Sequence, residues 1–113
     1  MTKEDCFRLF QQIVVKRDVF CRRPGCTNLA SAGHHIFGRT NLSTAFDPTY
    51  GVGLCVQCHV PWAHLKRNEF VEWVISWMGE ENYNLGLLKS HQVLKNVCFD
   101  DIGKSLSVFL YPY

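Results

Sequence analysis

Two cysteine pairs, Cys21-x4-Cys26 and Cys55-x2-Cys58, constrain this chain more than any other feature: each puts two thiols on one short loop, with 28 residues between the loops. Pairs so spaced supply the corners of a tetrahedral Zn2+ site, with each sulfur about 2.3 Å from the ion. Zinc bound there would fasten the base of the long intervening loop and couple metal uptake to folding of this stretch. A chain of 113 residues has room for one domain and one modest core, and a small core benefits from such a staple. The metal reading requires reduced thiols. Consistent with it, the amino terminus Met1-Thr2-Lys3-Glu4-Asp5 lacks the basic and then apolar layout of a secretory signal. No apolar run approaches the roughly 18 residues that would span a bilayer. The expectation is a cytoplasmic protein without membrane contact. Cys6 and Cys98, outside both pairs, read as buried small hydrophobes.

Around the pairs, local patterns predict an α+β chain. Thr2 can cap a helix over residues 2–15, in which Phe7, Phe10, Ile13 and Val14 recur at helical spacing. Pro24-Gly25 marks a bend between the first two cysteines. Residues 29–37 and 51–54 read as the strands of a short hairpin, with a largely polar tip loop over 38–50. After Cys55 the pattern turns helical, with Pro61 expected to interrupt or restart the helix. Asn68 could cap a helix that ends at Gly79 and carries Phe70, Trp73, Val74 and Trp77 on one face. At helical spacing, Trp73 and Trp77 read as core formers rather than a platform for stacked bases. Residues 80–90 and 100–110 read as two further helices that Gly86 and Gly103 weaken.

Charge is unevenly spread: residues 1–67 carry nine Lys or Arg against four acids, and residues 68–113 carry three against six. Arg22, Arg23 and Arg39 are the only formal charges between Val19 and Phe46, and Lys66-Arg67 follow the second cysteine pair. Clustered cations suit the phosphates of DNA, although a solvated basic surface has the same composition.

The histidines are more specific. His34 and His35 are adjacent on the first strand, so their rings point to opposite faces and have different tasks. Cys58 and His59 stand about 100° apart on a helix, so a sulfur can reach zinc while the imidazole reaches a second ion. His64, five residues further on, joins that ion only if Pro61 rearranges the intervening turn.

Together, Cys21-x4-Cys26, His34-His35-Ile36, Arg39-Thr40-Asn41, Asp47-Pro48, Leu54-Cys55-x2-Cys58-His59 and Ala63-His64 resemble the HNH endonuclease family, in particular the phage recombination nucleases of the NinG/Rap kind. The resemblance runs from Cys21 to about Leu88. It implies a single ββα-metal domain: an N-terminal helix and lead-in (1–20), a zinc knuckle and hairpin-helix core (21–67), and a helical C-terminal part (68–113). It implies a divalent-metal-dependent DNA endonuclease acting on branched or recombining DNA, with structural Zn2+ on Cys21, Cys26, Cys55 and Cys58. His34 and His59 would bind the catalytic cation (Mg2+, Mn2+ or a similar ion), with His64 as a further ligand. His35 would be the general base, for which an ordinary imidazole pKa of about 6.5 is suited. Arg39, Arg22, Arg23, Lys66 and Arg67 would contact nucleic acid. A homodimer, or phage or host recombination proteins in the host cytoplasm, are the implied partners.

One position departs from the family. Tyr50 stands where an asparagine is expected, with fourteen residues between it and His35 and eight between it and His59. The asparagine ties the loop together and orients the base. Tyr50 either takes over that role through its hydroxyl or leaves His35 misaligned, with Asn41 a stand-in at the wrong register; the expectation is an active but impaired enzyme in which Tyr50→Asn raises cleavage. The alternative reading is a catalytically weak or inactive zinc module of the same fold that binds DNA or a protein partner.

Overall fold

The computed structural model describes residues 1–110. It is an α+β fold of helices around one antiparallel ribbon, in the order α1 (Lys3–Asp18), β1 (Ala32–His35), α2 (Leu42–Ala45), a 3-10 turn (Pro48–Tyr50), β2 (Gly51–Leu54), α3 (Val56–Cys58), a π-helical turn (His59–His64), α4 (Arg67–Met78), α5 (Glu80–Ser90) and α6 (Phe99–Leu110). No helix among the described residues is long and apolar enough to cross a membrane.

Helix α1 starts where the sequence places it. The Thr2 hydroxyl accepts from the Asp5 N–H while the Asp5 carboxylate accepts from the Thr2 N–H, a reciprocal cap that satisfies two end groups. The helix runs past the expected residue 15 to Asp18, whose carboxylate has a partner inside the fold.

In the ribbon, Ala32 faces Leu54, Gly33 faces Gly53, His34 faces Val52 and His35 faces Gly51. Its two faces differ sharply. Alternation puts Gly33, His35, Gly51 and Gly53 on one side and His34, Val52 and Leu54 on the other. The glycine side receives α1, which lies so close that a Cβ on Gly51 would stand 2.6 Å from Phe10 Cζ and one on Gly33 would stand 3.0 Å from Val14 Cβ. The other side packs with Ile36, Trp62, Phe70 and Val74 and with the cysteines of the knuckle. A second cluster, Cys6, Phe7, Ile13, Ala45, Phe46 and Leu106, joins α1 to α2 and α6.

Several expectations are corrected. The tip loop holds α2 and the 3-10 turn, and Thr44, Ala45, Phe46 and Pro48 are buried in it. The first strand is only Ala32–His35, with an isolated bridge between Phe20 and Leu29 before it. Asn68 is no cap: α4 begins at Arg67, after Lys66, with no side-chain cap hydrogen bond. Cys98 is exposed, whereas Cys6 is fully buried. Gly86 lies within α5 because the helix needs it: a Cβ there would stand 2.6 Å from both Phe37 Cε2 and Tyr50 Cε1.

Candidate metal centre and cleft

The four paired cysteines converge. Their sulfurs all lie within 4.8 Å of one another, and Cys26 and Cys55 are separated by 3.8 Å. Thiolates around a tetrahedral zinc stand about 3.8 Å apart, far beyond the roughly 2.05 Å of a disulfide. The donor set therefore fits Zn2+. The surroundings stabilise sulfur charge: Asn28 Nδ2 donates to Cys55 Sγ at 3.6 Å, and Arg23 Nη1 points at Cys58 Sγ from 4.0 Å. Burial pushes the Cys55 thiol up, but hydrogen bonds from Asn28 and the neighbouring thiols outweigh it and leave Cys55 below the ordinary thiol value. Cys58 is held high by burial and by Cys55, as expected where neighbouring thiols compete for a single charge.

A second cluster forms where His34 of β1 meets the π-helical turn. His34, His59 and His64 each bring a ring nitrogen within 4.8 Å of the others. His59 Nε2 and His64 Nε2 are 3.2 Å apart, and the His34 ring centroid lies 5.2 Å from that of His59 and 4.9 Å from that of His64. The π-helical turn makes this arrangement. In an α-helix, residues five apart point about 140° away from each other, whereas the wider turn containing Pro61, closed by Leu65 N–H on the Val60 carbonyl, brings them onto one face. His34 Nε2 is buried without a hydrogen-bond partner. An open buried nitrogen costs about 1–3 kcal/mol unless something occupies it. Burial first, and then the charges of His59, His64, His35 and Arg67, lower the pKa of His34 to about 3. At neutral pH its lone pair is free for a cation, and the three residues fit one.

His35 points to the opposite face, as alternation requires. Its ring stacks on Phe10 at 4.3 Å and meets the edge of Phe7 at 5.6 Å. It lies outside the three-histidine cluster but lines the same cleft of about 480 Å3, together with Gln11, Arg39 and Arg67. Its Nε2 is buried without a partner. Burial and the Arg39 charge draw its pKa down to about 4 against a hydrogen bond with the Ala45 backbone that raises it. The ring is neutral at pH 7, and a weaker proton acceptor than the ordinary imidazole assumed from the sequence.

The basic residues divide. Arg39 and Arg67 line the cleft. Arg39 rests on α1, with Glu4 Oε2 at 3.2 Å and the Phe7 ring centroid at 4.3 Å. Arg22, Arg23 and Lys66 do not line it: Arg22 pairs with Asp18 at 3.1 Å, Arg23 covers the Trp62 ring at 5.3 Å, and Lys66 is exposed just before α4. Tyr50 also stands apart from the cleft. Its ring packs on Phe37 and Gly86 and beneath the Lys89 ammonium. Other side chains brace the loop instead. Asn41 donates its amide to the Phe37 carbonyl, and Arg17 donates to the Pro48 and Gly51 carbonyls, each at 2.7 Å. Arg17 and Gln11 were not foreseen from the sequence. Gln11 does carry a signal, since it sits at i+4 from Phe7 within the apolar stripe of α1.

Comparison with known protein families, with curated proteins and with solved structures finds no match to this chain. The functional reading therefore rests on the residues and geometry above.

Proposed function

We propose that this protein is a divalent-cation-dependent DNA endonuclease of the HNH type, with His34, His59 and His64 holding the cation and His35 acting as general base. One observation carries the reading: His34, clustered with His59 and His64 of the π-helical turn, and His35 leave opposite faces of β1 yet line one cleft. Two adjacent histidines divided in this way suit a ligand and a base.

When bound, the cation supplies charge stabilisation on the phosphate and on the departing 3′ oxygen. Three imidazoles with no carboxylate among the described ligands suit a transition ion such as Ni2+ or Zn2+ more than Mg2+. His35 takes the proton of the attacking water at its unpartnered ring nitrogen, while Phe10 and Phe7 hold the ring in place. Arg39 and Arg67 flank the scissile phosphate, and a guanidinium can grip two of its oxygens. The Arg39–Glu4 pair is exposed and worth little, so a phosphate can take the carboxylate's place. Water attack at phosphorus with loss of the 3′ oxygen leaves 5′-phosphate and 3′-hydroxyl ends.

The test is a plasmid-nicking assay with Mg2+, Mn2+ and Ni2+, run beside His35→Ala and His34→Ala, with branched and linear duplexes as further substrates. Cation-dependent nicking abolished in both variants is expected. Failure to cleave any substrate with any of these ions would leave a zinc module that binds DNA or a protein partner.

A further inference from the structure

The outer edges of the ribbon are closed by groups outside the sheet, and one closure bears directly on the histidines. Ile36 N–H donates to the Tyr50 carbonyl at 3.0 Å, so hydrogen-bonded pairs alternate from there and leave the facing residues Gly33 and Gly53 with their own peptide groups turned outward. At Gly53, Asp18 Oδ2 accepts from the N–H at 2.7 Å and the backbone N–H of Arg22 donates to the carbonyl at 2.9 Å. At Gly33 a single side chain does both. Gln11 Oε1 accepts from the Gly33 N–H at 2.6 Å, and Gln11 Nε2 donates to the Gly33 carbonyl at 2.7 Å. A carboxamide offers a donor and an acceptor on one planar group, as a neighbouring strand would.

We propose that Gln11 is a positioning residue for the histidine pair, its amide fixing the peptide groups of Gly33 and thereby the directions in which His34 and His35 leave the strand. The role of the histidines as cation ligands and base is the reading given above, on which this inference rests. Gly33 is the position where the strand is otherwise least constrained, since glycine has the widest choice of backbone angles. A side chain there would meet Val14, so the closeness that requires glycine also delivers Gln11 to the strand edge. Among the described residues, β1 has no other strand beside β2 to hold this edge.

The test uses the full chain with zinc in the cysteine site, titrated with Co2+ and followed by visible absorbance. Gln11→Met keeps length and helix propensity but loses both hydrogen bonds. It should weaken Co2+ binding at the histidine cluster about tenfold, in the range expected for groups that orient ligands, with the zinc content of the cysteine site unchanged. Hydrogen exchange at the Gly33 amide should accelerate in the same variant. If Gln11→Met loses its helical circular dichroism, Gln11→Asn, one methylene too short to reach, gives the same readouts. A folded variant with wild-type Co2+ affinity and a protected Gly33 amide overturns the inference. A wild-type protein whose Co2+ uptake is absent, or indifferent to His34→Ala, overturns the cation reading instead.

Discussion

His64 Nε2 lies 3.2 Å from His59 Nε2 although five residues separate them, and the turn between them contains Pro61. Proline has no N–H to donate and its ring collides with the carbonyl four residues earlier in an α-helix. A wider turn relieves that collision, so the residue that would break a helix here sets the spacing of a ligand pair.

Pro61→Ala should therefore let the segment return toward α-helical winding and swing His64 off the cluster. We expect Co2+ affinity at the histidines to fall at least about tenfold, comparable to losing an orienting group, with cysteine-bound zinc retained. Isothermal titration of the zinc-loaded variant is the check. Undiminished affinity would mean that the packing of Trp62 and Ala63, both buried, holds the turn without the proline.

Removing a knuckle ligand should have a wider effect. Cys21 and Cys58 are buried in the same cluster as Ile36, Val52, Leu54 and Trp62, so the metal and the main core share one volume. Cys58→Ser should lose zinc and unfold the hairpin and the turn that follows it. Circular dichroism and zinc analysis read this directly. A soluble, zinc-free variant with the wild-type spectrum would contradict it.

Both cysteine pairs, the existence of a short hairpin and the opposite facing of His34 and His35 were legible because each follows from spacing or alternation alone, although the first strand is shorter than its apolar pattern suggested. The π-helical turn was legible only as a condition on Pro61, since its register depends on how Trp62 packs beneath α4. Asn41 and Arg17 were hidden for a different reason. Both brace the loop through backbone carbonyls of Phe37, Pro48 and Gly51, and any residue type presents a carbonyl. Cys98 was misplaced because a thiol's burial is decided by the connection between α5 and α6, where sequence pattern is weak.

Tyr50 illustrates a match in register without a match in place. Position along the chain assigned it to the cleft, yet its ring fills the space between Phe37 and Gly86, where α5 crosses the loop. Tyr50→Asn should therefore destabilise the fold by about 2–3 kcal/mol, somewhat less than truncation of a fully buried ring. It should not raise cleavage at temperatures where both proteins are folded. Urea unfolding and the nicking assay measure the two effects, and increased cleavage would restore Tyr50 to the catalytic neighbourhood.

Asp18 should give the fold an acid limit. Its side chain is fully buried at the end of α1, accepting from Arg17 at 2.9 and 3.0 Å and from the Gly53 N–H at 2.7 Å, with Arg22 at 3.1 Å. Burial alone would raise its pKa, but the Arg17 and Gly53 hydrogen bonds and the charges of Arg17 and Arg22 outweigh it and hold the carboxylate below its ordinary 3.8. A carboxyl whose folded pKa is depressed binds protons more readily when unfolded. Its contribution is therefore complete above that ordinary value and is lost as pH falls through the lower folded value. Asp18→Asn should cost about 3 kcal/mol at pH 7, in the range for breaking one partner of a buried pair, and the gap to wild type should close below pH 3.8. Acid release of zinc affects both proteins, so the difference between their unfolding curves isolates the carboxylate. A gap that persists unchanged to low pH would show that the charge of Asp18 contributes nothing beyond its shape.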